Sequence, residues 1–157
     1  MIGFWLGLVK NEVLMSAILS WVLAQVVKTF LHLFATKKFV PERLIGSGGM
    51  PSCHSAAMSA LTTSLLIHPD YGIESPITAI AAVMSVVVMY DAMSVRRETG
   101  RQSVVLNEII EKYDQDGNSL EAKNKLREFI GHTPFQVLMG SLLGISFALL
   151  YCLVIIR

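Results

Sequence analysis

The thirteen residues from Gly46 to Met58, Gly-Ser-Gly-Gly-Met-Pro-Ser-Cys-His-Ser-Ala-Ala-Met, carry the side chains best suited to chemistry in this chain. A glycine-rich loop runs into a helix of small residues, with Ser52 and His54 at its start. A helix start offers unpaired backbone N–H groups and the positive end of the macrodipole, which together favour an anion such as phosphate. Much of the remaining chain is apolar, so the expected anion is the head group of something that lives in a membrane.

Composition supports that setting. Of 157 residues, 53% are apolar and 16% charged, and the mean hydropathy is +0.55. Soluble domains average about a quarter charged residues, so the deficit favours an integral membrane protein. The length suits a single domain over 1–157. A net charge of +1 with no basic tail gives no reason to expect a nucleic-acid partner. Cys53 and Cys152 lie in separate segments with neither disulfide nor zinc spacing. The N-terminus lacks the pattern of a cleaved signal peptide.

Four apolar segments must position the chemistry. Glu12 to Ala35, at about 36 Å as a helix, is long enough to cross a bilayer core of about 30 Å. Ser55 to Ile67 is shorter and rich in Ser, Thr and Ala; it is expected to start below the membrane surface, its glycine loop dipping in where protein shields the backbone. Pro76 to Val95 is almost uncharged until Asp91, and Pro134 to Ile156 opens on a proline in its first turn. Between the last two, Val104 to Tyr113 and Leu120 to Ile130 read as an amphipathic helical hairpin. Its turn, Asp114 to Asn118, lacks the sixth-position glycine and twelfth-position glutamate of a calcium loop. The fold expected is an all-α membrane bundle with about four membrane segments and this hairpin on one face.

Following the crossings brings distant residues together. If the first span ends at face B, then Lys37, Lys38, Arg43 and the Ser52/His54 loop lie there. The second span leaves for face A, where His68 to Gly72 turns. The third returns Asp91, Arg96 and Arg97 to face B, and His132 opens the last span from the same side. Ten of the thirteen Lys and Arg residues fall on face B, which the positive-inside rule places in the cytoplasm. For a bacterial chain this is the inner membrane.

Four stretches resemble the divergent branch of the type 2 phosphatidic acid phosphatase superfamily, which includes lipid phosphatases and vanadium-dependent haloperoxidases. They are Gly-Gly-Met-Pro-Ser-Cys-His-Ser-Ala (48–56), Val-Met-Tyr-Asp-Ala-Met-Ser-Val-Arg-Arg (88–97), Gly-Arg-Gln (100–102) with Leu-Asn (106–107), and Gly-His-Thr-Pro-Phe-Gln-Val-Leu-Met-Gly (131–140). The motifs stand in the expected order over roughly residues 20 to 150. The resemblance implies a phosphatase that needs no metal or other cofactor. His132 matches the histidine that attacks phosphorus and becomes a phosphohistidine, which requires an unprotonated attacking nitrogen. The superfamily steadies the other ring nitrogen with a carboxylate four residues later; here that position is Gln136, which accepts a hydrogen bond but carries no charge. His54 matches the histidine that protonates the departing oxygen, and Ser52 is expected to donate to a phosphate oxygen. Cys53 takes the place of the loop's small residue and reads as packing.

The cations depart further from the superfamily pattern. Lys37 and Lys38 are misspaced from Arg43, no proline follows Arg43, and position 126, where the distal arginine is expected, is Leu. Lys28, with Gln25 one turn earlier, is a second candidate for the phosphate-binding lysine; the alternative is snorkelling to face B. Arg96 or Arg97 can supply the arginine, since a guanidinium grips phosphate through two parallel hydrogen bonds, or either can anchor a helix end to lipid phosphates. Asp91 either orients a catalytic histidine or fixes an arginine by a salt bridge. His32 and His68 read as structural. No ligand spacing supports a metal site from His54, His132 and Asp91. Gly140-x3-Gly144 permits close helix approach within the fold or across a homo-oligomer.

The function expected is hydrolysis of a phosphate monoester on a lipid or isoprenoid. The alternatives are a membrane protein that binds an anion or lipid head group without turnover, and a structural subunit whose cations only set topology. Haloperoxidase activity is not expected of so small a membrane chain.

Overall fold

The computed structural model of the chain describes residues 2–37, 49–115 and 131–155. Six helices follow in order: α1 (Ile2–Lys10), α2 (Glu12–Thr36), α3 (Cys53–Ile67), α4 (Pro76–Met93), α5 (Val95–Gln115) and α6 (Pro134–Ile155). The protein is an all-α membrane bundle. Windows within Glu12–Thr36, Pro76–Lys112 and Pro134–Val154 are long and apolar enough to cross a membrane.

The helix ends follow from local chemistry. Asn11 caps α2 by accepting the Leu14 N–H, and Lys37 closes it in the left-handed conformation. Ser52 caps α3, and Ser75 followed by Pro76 caps α4, the arrangement in which proline's missing N–H costs nothing. Thr133-Pro-Phe-Gln136 opens α6 as a capping box: the Gln136 N–H donates to Thr133 Oγ1 at 3.3 Å, and the Thr133 N–H to Gln136 Oε1 at 3.1 Å.

The fifteen-residue α3 sits at the centre, packed against α2, α4 and α6. At about 22 Å it is too short to cross a 30 Å core. Its first residue, Cys53, meets Lys28, eight residues and so about 12 Å before the end of α2. The helix start is therefore recessed, as its length suggests.

The interior is small and polar and the outside is apolar. Ser16, Ser20, Ala24 and Lys28 recur every fourth residue along α2, and all are buried; Ala56, Ala60 and Ser64 do the same on α3. Hydroxyls join the helices: Ser64 Oγ donates to Ser16 Oγ at 2.8 Å, Ser20 Oγ to the Ala56 carbonyl at 3.2 Å, and Ser85 Oγ to the Met58 carbonyl at 3.0 Å. Large side chains such as Phe30, Phe34, Val86 and Leu150 face outward. Lipid tails solvate such side chains well, so association relies on close packing and interhelical hydrogen bonds.

Gly140 and Gly144 serve that packing inside the chain. A Cβ at Gly140 would collide with the Ser52 carbonyl oxygen, and one at Gly144 with the Ala56 carbonyl oxygen. The motif is thus occupied by α3 and is not left for a second copy.

Three boundaries differ from the sequence expectation. A helix over Ile2–Lys10 was not expected; its nine apolar-rich residues lie outside the windows that set the spans. The third apolar segment ends at Met93, and α5 begins at Val95 where a helix was expected only from Val104. Backbone bonds from Ser94 N to the Tyr90 carbonyl and from Glu98 N to the Ser94 carbonyl, each 2.9 Å, carry the helical pattern through the junction. Gly100 does not stop it, because one glycine in a helix costs only about 1 kcal/mol. The expected helix over Leu120–Ile130, most of the 114–118 turn, Lys38 and Arg43 lie outside the described residues.

Candidate functional site

His132 is reached from three directions. Its backbone N–H donates to the Ala92 carbonyl at 3.1 Å, near the end of α4. Gly131 lies against the Arg96–Arg97 backbone, where a Cβ would collide with the chain. The Ser52 N–H donates to the Gln136 carbonyl at 3.1 Å, joining the start of α3 to the first turn of α6. Three backbone contacts thus bring together the apolar segment ends that the crossing argument assigned to face B.

The imidazole is buried, 4% exposed, with Nδ1 3.2 Å from Gln136 Oε1. That oxygen also receives the Thr133 N–H, so it is the carbonyl end of the amide and an acceptor only. Nδ1 must therefore be the protonated nitrogen of a neutral His132, and Nε2 keeps its lone pair. Gln136 fixes the tautomer that a nucleophilic Nε2 needs, while serving the capping box with the same atom. The sequence reading saw the first role and missed the second.

The His132 pKa is lowered from the ordinary imidazole value. Burial is the largest cause; the Gln136 hydrogen bond opposes it, and the positive charges of Lys28, His54 and Arg96 lower it further. Lys28, His54 and Arg96 therefore lie within electrostatic reach of the ring.

Lys28 is 2% exposed, so it does not snorkel to the surface. Its Nζ donates to Gln25 Oε1 at 2.6 Å and lies 3.8 Å from Cys53 Sγ. A cation at that depth costs about 2.5–3.5 kcal/mol on insertion scales, and these partners offset part of that cost. Cys53 Sγ is in turn 3.7 Å from His54 Nδ1. Cys53 is a packing residue and also the contact that links the buried lysine to His54, which sequence reasoning did not foresee. Spacing held half the signal: a lysine in an apolar span with a glutamine three residues earlier.

Ser52 is fully buried, and its hydroxyl accepts from the Ser55 N–H at 3.4 Å and the Ser55 Oγ–H at 2.9 Å. Its observed work is capping α3. The Ser52 O–H is the donor in neither bond, so both are compatible with the role expected of it from sequence, donation to a phosphate oxygen.

The remaining cations separate. Arg96 Nε donates to Asp91 Oδ2 at 2.9 Å, with both side chains substantially exposed. Of the two sequence readings of Asp91, the geometry matches the arginine-fixing salt bridge; the acid spaces Arg96 and does not touch a histidine. Arg97 lines a shallow surface depression of about 490 Å³ with Tyr90, Glu98 and Arg101, and no described contact takes it to His132. Arg43 lies outside the described residues. The set brought together is therefore Lys28, Gln25, Cys53, His54, His132 and Gln136, with the charge of Arg96 nearby.

Residues 9–147 match the Divergent PAP2 family. A protein of Bacillus subtilis (strain 168), described as the uncharacterized membrane protein YuiD, is 33% identical over 151 residues, covering 90% of this chain and 94% of that protein. No solved structure matches the chain significantly. The match spans both histidine segments and every element from α2 to most of α6, and the chain belongs to the Divergent PAP2 family.

Proposed function

We propose that this chain is a membrane-embedded phosphatase that hydrolyses a phosphate monoester of a lipid or isoprenoid through a phosphohistidine. The observation that carries the reading is the Gln136-held tautomer of His132, which leaves the lone pair on Nε2, within reach of several positive charges. Family membership supports the kind of chemistry.

In this mechanism the phosphoryl group sits between His132 and His54. The Nε2 lone pair attacks phosphorus, the ester P–O bond breaks, and His54 gives a proton to the departing alkoxide. Lys28 and Arg96 offset charge that grows on the equatorial oxygens. His54, now neutral, takes a proton from water, whose oxygen attacks the phosphohistidine and releases inorganic phosphate. Arg43 and Arg97, the other two cations expected to contact the phosphate, complete the proposed set. The recessed start of α3 suits a substrate whose tail stays in the bilayer and whose phosphate enters from face B, which the cation distribution assigns to the cytoplasm.

A second reading has one observation in its favour. Gln136 is neutral, so it orients His132 without stabilising an imidazolium, and a chain with this site could bind a phosphorylated head group without turnover. Phosphate release from a panel of lipid and isoprenoid phosphates, using protein in detergent or nanodiscs, separates the two. The phosphatase releases phosphate from at least one member, and His132→Ala abolishes it. A binder retains vanadate or phosphate with no release.

A further inference from the structure

At the other end of the bundle, the α1–α2 junction, the end of α3 and the start of α4 enclose a groove of about 920 Å³. Its floor is apolar, formed by Met58, Leu61, Leu65 and Ala81, and Ile77, Ile80 and Met84 form one wall. All three wall residues are exposed. The polar lining gathers at one end: Lys10, Asn11 and Glu12 from the α1–α2 junction, with His68, Asp70 and Tyr71 after α3.

Depth identifies the occupant. From Ile77 to Met84 the groove runs seven residues along α4, about 10 Å, and from His68 to Met58 about 15 Å. That depth is half of an approximately 30 Å hydrocarbon core, the reach of one leaflet. A helix from a second copy would need a seam along the whole bundle; an acyl chain needs only this half. The polarity gradient, charged at the rim and apolar below, is that of a lipid.

Rim charges select the head group. Glu12 and Asp70 supply two carboxylates, with the Asp70 side chain 83% exposed; Lys10 supplies one cation and Asn11 an amide. His68 Nδ1 accepts the Asp70 N–H at 3.2 Å, which leaves Nε2 of the neutral ring as a donor, and Tyr71 packs on that ring. Carboxylates suit a primary ammonium, which donates N–H bonds; Lys10, Asn11 and His68 suit a phosphate. We propose that this face-A groove holds one phospholipid with a zwitterionic, primary-amine head group, as in an ethanolamine phospholipid. The groove shares no lining residue with the His54–His132 site proposed at face B.

The test is native mass spectrometry of the purified chain exchanged into equal mixtures of ethanolamine, choline and glycerol phospholipids. One ethanolamine lipid should be retained per chain in preference to the others. Glu12→Gln and Asp70→Asn, surface changes that leave the fold intact, should each weaken that preference by up to about fivefold, the range of an exposed ion pair. Leu61→Trp, which fills the groove, should abolish retention while the protein still elutes as a single species. Equal retention of all three head groups overturns the proposal, as does retention unchanged by Glu12→Gln and Asp70→Asn. A two-chain assembly lost on Leu61→Trp also overturns it, because the occupant is then a second copy.

Discussion

The Ser52 N–H reaches the Gln136 carbonyl at 3.1 Å, and this one bond ties the helix that carries His54 to the turn that carries His132. Gly140, one turn deeper on α6, lets the backbones approach that closely. The histidines lie 78 positions apart in the chain, and this small-residue contact between α3 and α6 brings the segments that carry them together.

Gln136 gives the first prediction. Gln136→Ala removes both the cap acceptor and the partner of His132 Nδ1, so it should destabilise the protein by about 0.5–2 kcal/mol and reduce phosphate release. Gln136→Glu keeps an acceptor at the same reach and adds a charge that stabilises the imidazolium, so release is preserved or raised. Thermal unfolding and a phosphate-release assay check the two effects separately.

The lowered pKa of His132 sets a pH dependence with a defined sign. As pH falls through about 6.5, the unfolded chain takes up a proton that the buried ring still refuses. Stability attributable to this group is therefore intact above 6.5 and declines below it, until the folded value is passed. The neutral nucleophile survives to lower pH than a free histidine, so the acid limb of phosphate release lies below 6.5. Lys28→Met removes a neighbouring positive charge and Gln136→Glu adds a negative one, and each should move that limb upward. A limb that stays fixed in both variants means that another group is titrating.

Lys28→Met should also weaken binding of phosphate or vanadate by at least about tenfold, since a charge-assisted hydrogen bond contributes about 1.5–3 kcal/mol. The fold should persist, because the variant removes a buried charge from a membrane segment. Isothermal titration with vanadate reads the affinity; unchanged affinity removes Lys28 from the phosphate site.

Close approach at Gly144 gives a stability prediction that does not involve the chemistry. Gly144→Ala places a methyl against the Ala56 backbone, which cannot yield as a flexible side chain could. A loss of about 1–3 kcal/mol is expected, the usual range for overpacking, measured by thermal unfolding in detergent.

Much of the architecture was legible because lipid leaves a simple signature. Long apolar runs marked α2, α4 and α6, and counting crossings assigned to one face the segment ends that the backbone contacts join. The short length of α3 foretold its recessed start. Contacts made by short polar groups across helices were not legible: nothing in the spacing pairs Cys53 with Lys28 across 25 residues. Ser52 carried two signals, anion donor and helix cap, and the cap accounts for the bonds observed. The Thr133–Gln136 capping box was written in the sequence, yet the same glutamine also matched a family position, and that match hid its second use. Helix α5 overran its expected start because Gly100 and Ser94 weaken a helix without breaking it.

The central claim is a covalent phosphoryl group on His132. Protein incubated with a ³²P-labelled lipid or isoprenoid phosphate and quenched in alkali should carry an acid-labile label that maps to the Gly131–Met139 segment and is lost in His132→Ala. A substrate that is hydrolysed with no label on His132, or with equal turnover by His132→Ala, contradicts the account.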